Sequence, residues 1–445
     1  MSTIHELSSL MTLPEMDVFG VPPTQLMIER DVQTEHRPIS TLSNSTNTIE
    51  FEIHTGLNEY INLSKSELYL CLKFKLQKST VSTTPEVKAE DWKLISPINY
   101  LMHSFIKQID VNIGQTTVTT SSVNYSYVSY IDTLLNSNSD ARNTHLETAF
   151  WHKDETPMDS VNEIRSSRIR PSGNSLSDGC EVEMYGNLHI DLASQVKSLL
   201  GGVTLNIKIY PQDPKFYLIY DKTLIPTVEI MDVRLFMHKS IVNPQVVVAH
   251  NRALESANAR YFITRKEVKT SIIAKDTLDC YLNNVINGVI PRKIYIGFVS
   301  NEAYNGSYNM NPFYFKNYNI RHIACYVDGT QYPHRPYTPD FTNKKYMREY
   351  FGLFETANQI KHSTDIDITR EEYAEGYTLF GFNFTPDLSD GVAKSGYVST
   401  VVRGNLRVEL KFAYPIQETV TAIIFCEYDS CVEIESSRFA IKNFQ

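Results

Sequence analysis

The chain has 445 residues, 42% of them hydrophobic and 11% aromatic, and a formal net charge of -9 at pH 7. That length exceeds one compact core and suits two large domains or three ordinary ones. The acidic balance speaks against a protein that coats nucleic acid, which needs a basic face, and no run of about 18 apolar residues exists to span a bilayer.

Residues 1–48 carry no sustained periodicity. "DVFGVPPTQLMIE" and "EHRPISTLSNSTNT" read as an extended N-terminal arm punctuated by Pro, Ser, Thr and Asn. The opening "MSTIHELSSLMTLPEMD" lacks the basic and apolar regions of a secretory signal, so an intracellular, reduced product is expected. Strand patterns begin with "IEFEI" (49–53). In "LYLCLKFKL", Leu68, Leu70, Leu72, Phe74 and Leu76 alternate with Tyr69, Cys71, Lys73 and Lys75. "FIKQIDVNIGQTTV" predicts two short strands around a turn at Gly114. Tyr127, Tyr130, Ile131, Leu134 and Leu135 recur at helical spacing and predict one short amphipathic helix. Residues 137–182 are polar and weakly patterned, which reads as an exposed or functional insertion. Strands resume at "EVEMYGNLHI", "GGVTLNIKIYP" and "VEIMDVRLFMHKSIV". "NPQVVVAHNRALES" (243–256) predicts a linker helix opened by Asn-Pro.

The second half runs through the same order. "ARYFITRKEVKTSII" and "RKIYIGFVS" are strands, and "YNIRHIACYVDGTQY" is a strand, a turn at Gly329 and another strand. Met347, Tyr350, Phe351 and Phe354 form a helix face, and "YTLFGFNF", "GNLRVELKFAYP" and "ETVTAIIFCEYD" close the set. Aligning Gly201 with Gly404, an offset of 203, keeps the apolar residues of the two glycine-led strands in phase. Ordered recurrence of this kind predicts a duplication. About eight strands per half, over roughly 190 residues, suit a jelly roll better than an immunoglobulin-like sandwich of about 100 residues. The expected fold is all-β: two tandem jelly-roll β-sandwiches (a double jelly roll) with short helices and an extended arm. The expected division is arm 1–48, first jelly roll 49–242, linker helix 243–256 and second jelly roll 257–445.

Catalytic chemistry is not legible. The twelve histidines include no H-x-H or H-E-x-x-H pattern, and His189 and His322 fall within strand patterns as structural histidines. The six cysteines offer no paired zinc motif; Cys71 and Cys426 read as buried small hydrophobes. Glu371–Glu372 and Asp154–Glu155 are sequence neighbours, which on a strand face opposite ways. Asp365 and Asp367 make a conceivable cation pair but read better as solvated loop charge. No phosphate loop, nucleophile elbow or dinucleotide fingerprint occurs. No catalytic, metal or cofactor residue is therefore assigned, and the chain is expected not to be an enzyme. Surfaces remain: the apolar arm residues Val18, Phe19, Val21, Leu26, Met27 and Ile28, the cluster Arg165, Arg168 and Arg170, and the segment 334–343 with His334, Arg335 and Tyr337.

"DVFGVPPTQ", "RPIS", "EYINLSKSELYLCLKFKL", "SPINYLMHSFIKQIDVNIGQTTV", "YVSYIDTLLN", "WHKDETPMD", "LFGFNFTPDLSD" and "GNLRVELKFAYPIQETVTAIIFCEYD" together resemble the major capsid protein of Polinton (Maverick) elements and the related adintoviruses. The resemblance covers most of the chain and is weakest in 137–182. It implies a double jelly-roll capsid protein of the lineage shared with adenoviruses and many tailless phages. Such a protein forms homotrimers that act as pseudo-hexameric capsomers in an icosahedral shell. It further implies a virion location after assembly inside the host cell, penton and minor capsid proteins as partners, and no direct contact with the genome. On that view the arm makes contacts between capsomers, and the two loop clusters are exposed or clasp the trimer. A glycan- or receptor-binding, spike-like jelly roll is the alternative, and an enzyme on this scaffold would need a polar site invisible in sequence order.

Overall fold

The structure, a computed structural model, describes residues 14–42, 48–78, 87–119, 123–171, 178–221, 224–360, 366–391 and 396–443. Its first half contains β1 (Ile28–His36), β2 (Ile49–His54), β3 (Glu59–Lys78), β4 (Ile95–Pro97), β5 (Ile106–Ile113) and β6 (Thr116–Thr117). It continues with β7 (Cys180–Asn187), β8 (Thr204–Pro211), β9 (Leu218–Tyr220) and β10 (Leu224–Val242). β4 and β9 pair only with each other; the other eight strands form sheets ordered β1-β10-β3-β7 and β2-β8-β5-β6. The second half contains β11 (Ala259–Ile273), β12 (Asp279–Val289), β13 (Lys293–Ser300), β14 (Ile320–Val327) and β15 (Thr330–Tyr337). After these come β16 (Leu379–Asn383), β17 (Arg403–Phe412), β18 (Val420–Ile434) and β19 (Ala440–Asn443). Its sheets are ordered β11-β18-β13-β16, with β19 added beside β18, and β12-β17-β14-β15.

When the eight main strands of each half are counted in chain order, both halves read 1-8-3-6 and 2-7-4-5. Every pair in these sheets is antiparallel. This is the jelly-roll order, present twice. The fold is all-β, a double jelly roll with short helices.

The matched elements sit where the duplication requires. The fourth and fifth strands of each half turn at Gly114 (φ +59°) and Gly329 (φ +87°), left-handed positions that glycine fills without a Cβ clash. A helix follows the fifth strand in each half: Tyr125–Asn136 and Met347–Thr356. The alternation in β8 buries Leu205, Ile207 and Ile209, and that in β17 buries Leu406, Val408, Leu410 and Phe412. The register refines the alignment. Ile113 pairs with Leu205, and Val327, the residue that ends β14, pairs with Leu406. Matching these hairpin ends makes the offset two residues shorter than the glycines suggest. Side chains on a strand repeat every two residues, so the buried face is unchanged.

Three departures have physical causes. Residues 28–36, read as arm, form the edge strand β1; its residues are exposed or half-buried, so no apolar face marks it. β12 escapes periodicity because its pairing slips between Leu282 and Ile286, where Asn284 adopts a left-handed φ of +55°. The helix Tyr125–Asn136 is not half-exposed: every residue from Tyr125 to Leu135 is buried, because it lies between the two sandwiches. The linker helix is Pro244–Leu254, and the Asn243 side chain caps it by accepting the Gln245 N–H at 2.9 Å. No helix among the described residues is long and apolar enough to cross a membrane.

Candidate functional site

Several polar residues that read as candidate sites take part in holding the fold. Among the described residues no three His, Cys, Asp or Glu side chains gather as a metal site. All six cysteines are free thiols, and burial pushes each of them up, the opposite of an activated nucleophile. His322 lies 3.9 Å from Glu409 across the β14–β17 pair. Glu372 accepts the Thr369 N–H at 2.8 Å and closes a capping box. Asp365 lies outside the described residues, whereas Asp367 pairs with Arg142 and Lys153.

The densest polar cluster is the joint between the jelly rolls. Asp132, on the buried helix, meets Lys266 of β11 at 2.6 Å and His189 Nδ1 at 3.0 Å. The other ring nitrogen of His189 lies 2.9 Å from the Tyr100 hydroxyl. Burial works to raise the Asp132 carboxyl, but Lys266 and His189 outweigh it and hold the carboxyl well below the usual carboxylate range. A cleft of about 230 Å³ opens beside this cluster. Its cations Lys266, Arg292 and Lys293 are matched by Asp132, Glu427 and Asp390, so it presents no uncompensated charge to a ligand.

Asp191 faces the same joint. Burial, with a smaller push from the Asp132 carboxylate, lifts its carboxyl to about 6, although it accepts the Lys266 backbone N–H at 3.1 Å and sits near the charges of Lys266 and Arg265. An acid whose folded pKa exceeds its unfolded value of about 3.9 weakens the fold above that pKa, and the penalty fades as pH falls from about 6 towards 4. Asp191→Asn is therefore expected to stabilise the protein by about 1–3 kcal/mol at pH 7.5. The gain should vanish near pH 4, as read by thermal denaturation at the two pH values.

The described part of the segment 137–182 is not a free-standing insertion. Arg142 donates to Ile366 O at 2.8 Å, Lys153 pairs with Glu372 at 2.9 Å, and the Tyr377 hydroxyl donates to Asp154 O at 3.0 Å. All three contacts reach into the second half. Arg165 is 1% exposed and pairs with the equally buried Asp154, which corrects its reading as an outward contact. Arg168 remains partly exposed beside Glu147 at 3.0 Å, and Arg170 is half-buried. The segment 334–343 is also not wholly a loop. His334 and Arg335 are exposed on the edge strand β15, while Tyr337 is buried against Phe382, with rings 5.4 Å apart.

The exposed apolar surface lies elsewhere. Val18, Phe19, Val21, Leu26, Met27 and Ile28 are all exposed, Phe19 at 94%. Where this arm joins the body, an apolar groove of about 670 Å³ runs between the linker helix and the start of β11, lined by Met27, Tyr60, Leu200, Ala253, Leu254 and Tyr261 among others. A second groove, of about 280 Å³ and lined by Phe262, Val289, Val398 and Val401, meets the first at Arg260. Sequence reasoning found the arm but not its groove, whose walls come from four separate stretches of chain.

No family profile matches the sequence. An uncharacterized protein of Caenorhabditis elegans is 25% identical over 406 residues, covering 87% of this chain and 91% of that protein. Among solved structures, a chain of the Sputnik virophage aligns over 100% of this chain and 95% of its own length, with a TM-score of 0.67 at 9% identity. The Faustovirus major capsid protein aligns over 96% and 93%, with a TM-score of 0.59 at 8% identity. The mavirus major capsid protein aligns over 99% and 97%, with a TM-score of 0.54 at 11% identity. At such identities the likeness is one of fold.

Proposed function

We propose that the chain is a structural shell subunit, a double jelly-roll major capsid protein of the Polinton and adintovirus kind. The observation that carries this reading is the eight-strand order occurring twice in one chain. The fold aligns almost end to end with a chain of the Sputnik virophage and with the mavirus and Faustovirus major capsid proteins. A chain with two equivalent sandwiches, assembled three times around an axis, presents six similar units, and closed symmetry of that sort is the common solution for homo-oligomers. Contacts between subunits of an obligate trimer would bury about 2,000 Å² or more. The exposed apolar arm supports the reading, since such a patch marks an interaction surface. His334 and Arg335, on the β15 edge, serve as contacts between subunits, a role that burial denies to Arg165. The capsomers tile an icosahedral shell with penton and minor capsid proteins as further partners, and the virion is the working location. No enzymatic step is assigned.

Electron microscopy of the full-length chain after expression tests this reading. Hexagonal capsomers or closed shells are the expected result. A dispersed single chain of jelly-roll dimensions under all assembly conditions would overturn it.

A further inference from the structure

We infer that the apolar groove beside the linker helix is the seat of the N-terminal arm of a second copy of this chain. The inference deepens the assembly reading by naming where the arm docks, and it rests on that reading for the presence of neighbouring copies. Three observations converge on it.

The first is the direction in which the arm leaves. The Gln25 side chain clasps the backbone of Ile28 from both sides, donating to its carbonyl at 3.0 Å and accepting its N–H at 2.8 Å. Asn243 N–H holds Met27 O at 2.9 Å. Beyond this clamp, Pro22 and Pro23 fix an extended path and keep Val21 extended too, so the arm runs outward instead of doubling back. Phe19 and Val21 are accordingly 94% and 90% exposed.

The second is chemical fit. The groove floor is aliphatic and small, with Leu200, Ala253, Leu254 and Ala257, which suits Val18, Phe19 and Val21. Its lining carries the cations Lys197 and Arg260, although Arg260 also meets Glu433 at 3.2 Å, and His250, whose Nδ1 lies 2.9 Å from the Tyr60 hydroxyl. The arm carries Glu15 and Asp17 beside its apolar residues, so cationic lining and acidic arm are complementary. The third is reach. The eight steps from Phe19 to Met27 span roughly 27 Å when extended, so the apolar tip of the arm can stand well clear of its own groove, whose lining includes Met27.

The test uses two full-length single variants, Phe19→Cys and Ala253→Cys, mixed under assembly conditions and oxidised. A disulfide between the two introduced cysteines, identified in the dimer band by peptide mass mapping so that links through the six native thiols or between two copies of one variant are set apart, is the expected result. No mixed dimer while light scattering shows trimers would overturn the docking site and leave the assembly reading intact. No mixed dimer from a chain that stays monomeric would overturn both. A double variant that cross-links only within one chain would show the arm folded onto its own body and would also overturn the inference. Ala253→Glu provides the control without thiol chemistry. A carboxylate in the groove facing the acidic arm should raise the rate at which protease trims the arm in the assembled protein several-fold, and an unchanged rate would count against the proposal.

Discussion

Replacing Arg165 with methionine is expected to destabilise the protein by about 3–5 kcal/mol. Arg165 and Asp154 are each 1% exposed, and the guanidinium Nη2 donates directly to Asp154 Oδ1. Among the described residues, Arg165 Nε and Nη1 and Asp154 Oδ2 find no further protein partner, so each charge depends on the other. Removing the cation leaves a carboxylate buried without compensation, and that desolvation penalty is what the experiment reads. The backbone of Asp154 is also fastened to the second jelly roll, since its N–H donates to the Tyr377 hydroxyl at 3.1 Å. The damage should therefore reach the joint. The double variant Asp154→Asn with Arg165→Met removes both charges and should recover most of the loss. Urea denaturation of the two single variants and the double variant measures the coupling; additive losses would contradict the account of a mutually dependent pair.

Tyr130→Ala is expected to cost about 3–5 kcal/mol and to uncouple the two halves. Tyr130 is fully buried on the helix between the sandwiches. Its ring stacks on Phe313 of the second half, with centroids 4.0 Å apart and planes 7° from parallel, and it packs on Trp151 at 5.4 Å. Truncation opens a cavity beside the helix that lies between the two jelly rolls, and it also removes a favourable stacked pair. Calorimetry should show one unfolding transition in the unaltered chain and two in the variant. A single transition at an unchanged temperature would mean that the joint is held by something other than this contact.

These two residues also show where sequence reading stops. Unbroken alternation announces the strands with one regular buried face: Leu68 to Leu76 in β3 and Leu406 to Phe412 in β17 lie as their spacing requires. Ordered recurrence of such strands makes the duplication legible in the sequence. β1 stayed hidden because "IERDVQTEH" lies at a sheet edge with almost no buried face, and period two has nothing to report there. The Pro-containing β15 was read partly as loop for a related reason, since proline is tolerated only at such an edge. The charges of 137–182 misled for a different reason. A solvated arginine and a buried, paired one look alike in sequence, and the Ile366 carbonyl and Asp367 carboxylate that Arg142 meets lie more than 200 positions away. The groove for the arm was likewise invisible, being built from Tyr60, Leu200, Ala253 and Tyr261, which share no local pattern. Local periodicity thus reports layers, whereas joints and docking surfaces depend on long-range placement.

The measurement that bears most directly on the proposed role is the mass of the purified full-length chain in solution, by light scattering after size exclusion. Three chains of 51.0 kDa, about 153 kDa, is the mass the capsomer account predicts. A stable single chain of 51.0 kDa that never associates, with its arm still exposed, would contradict it.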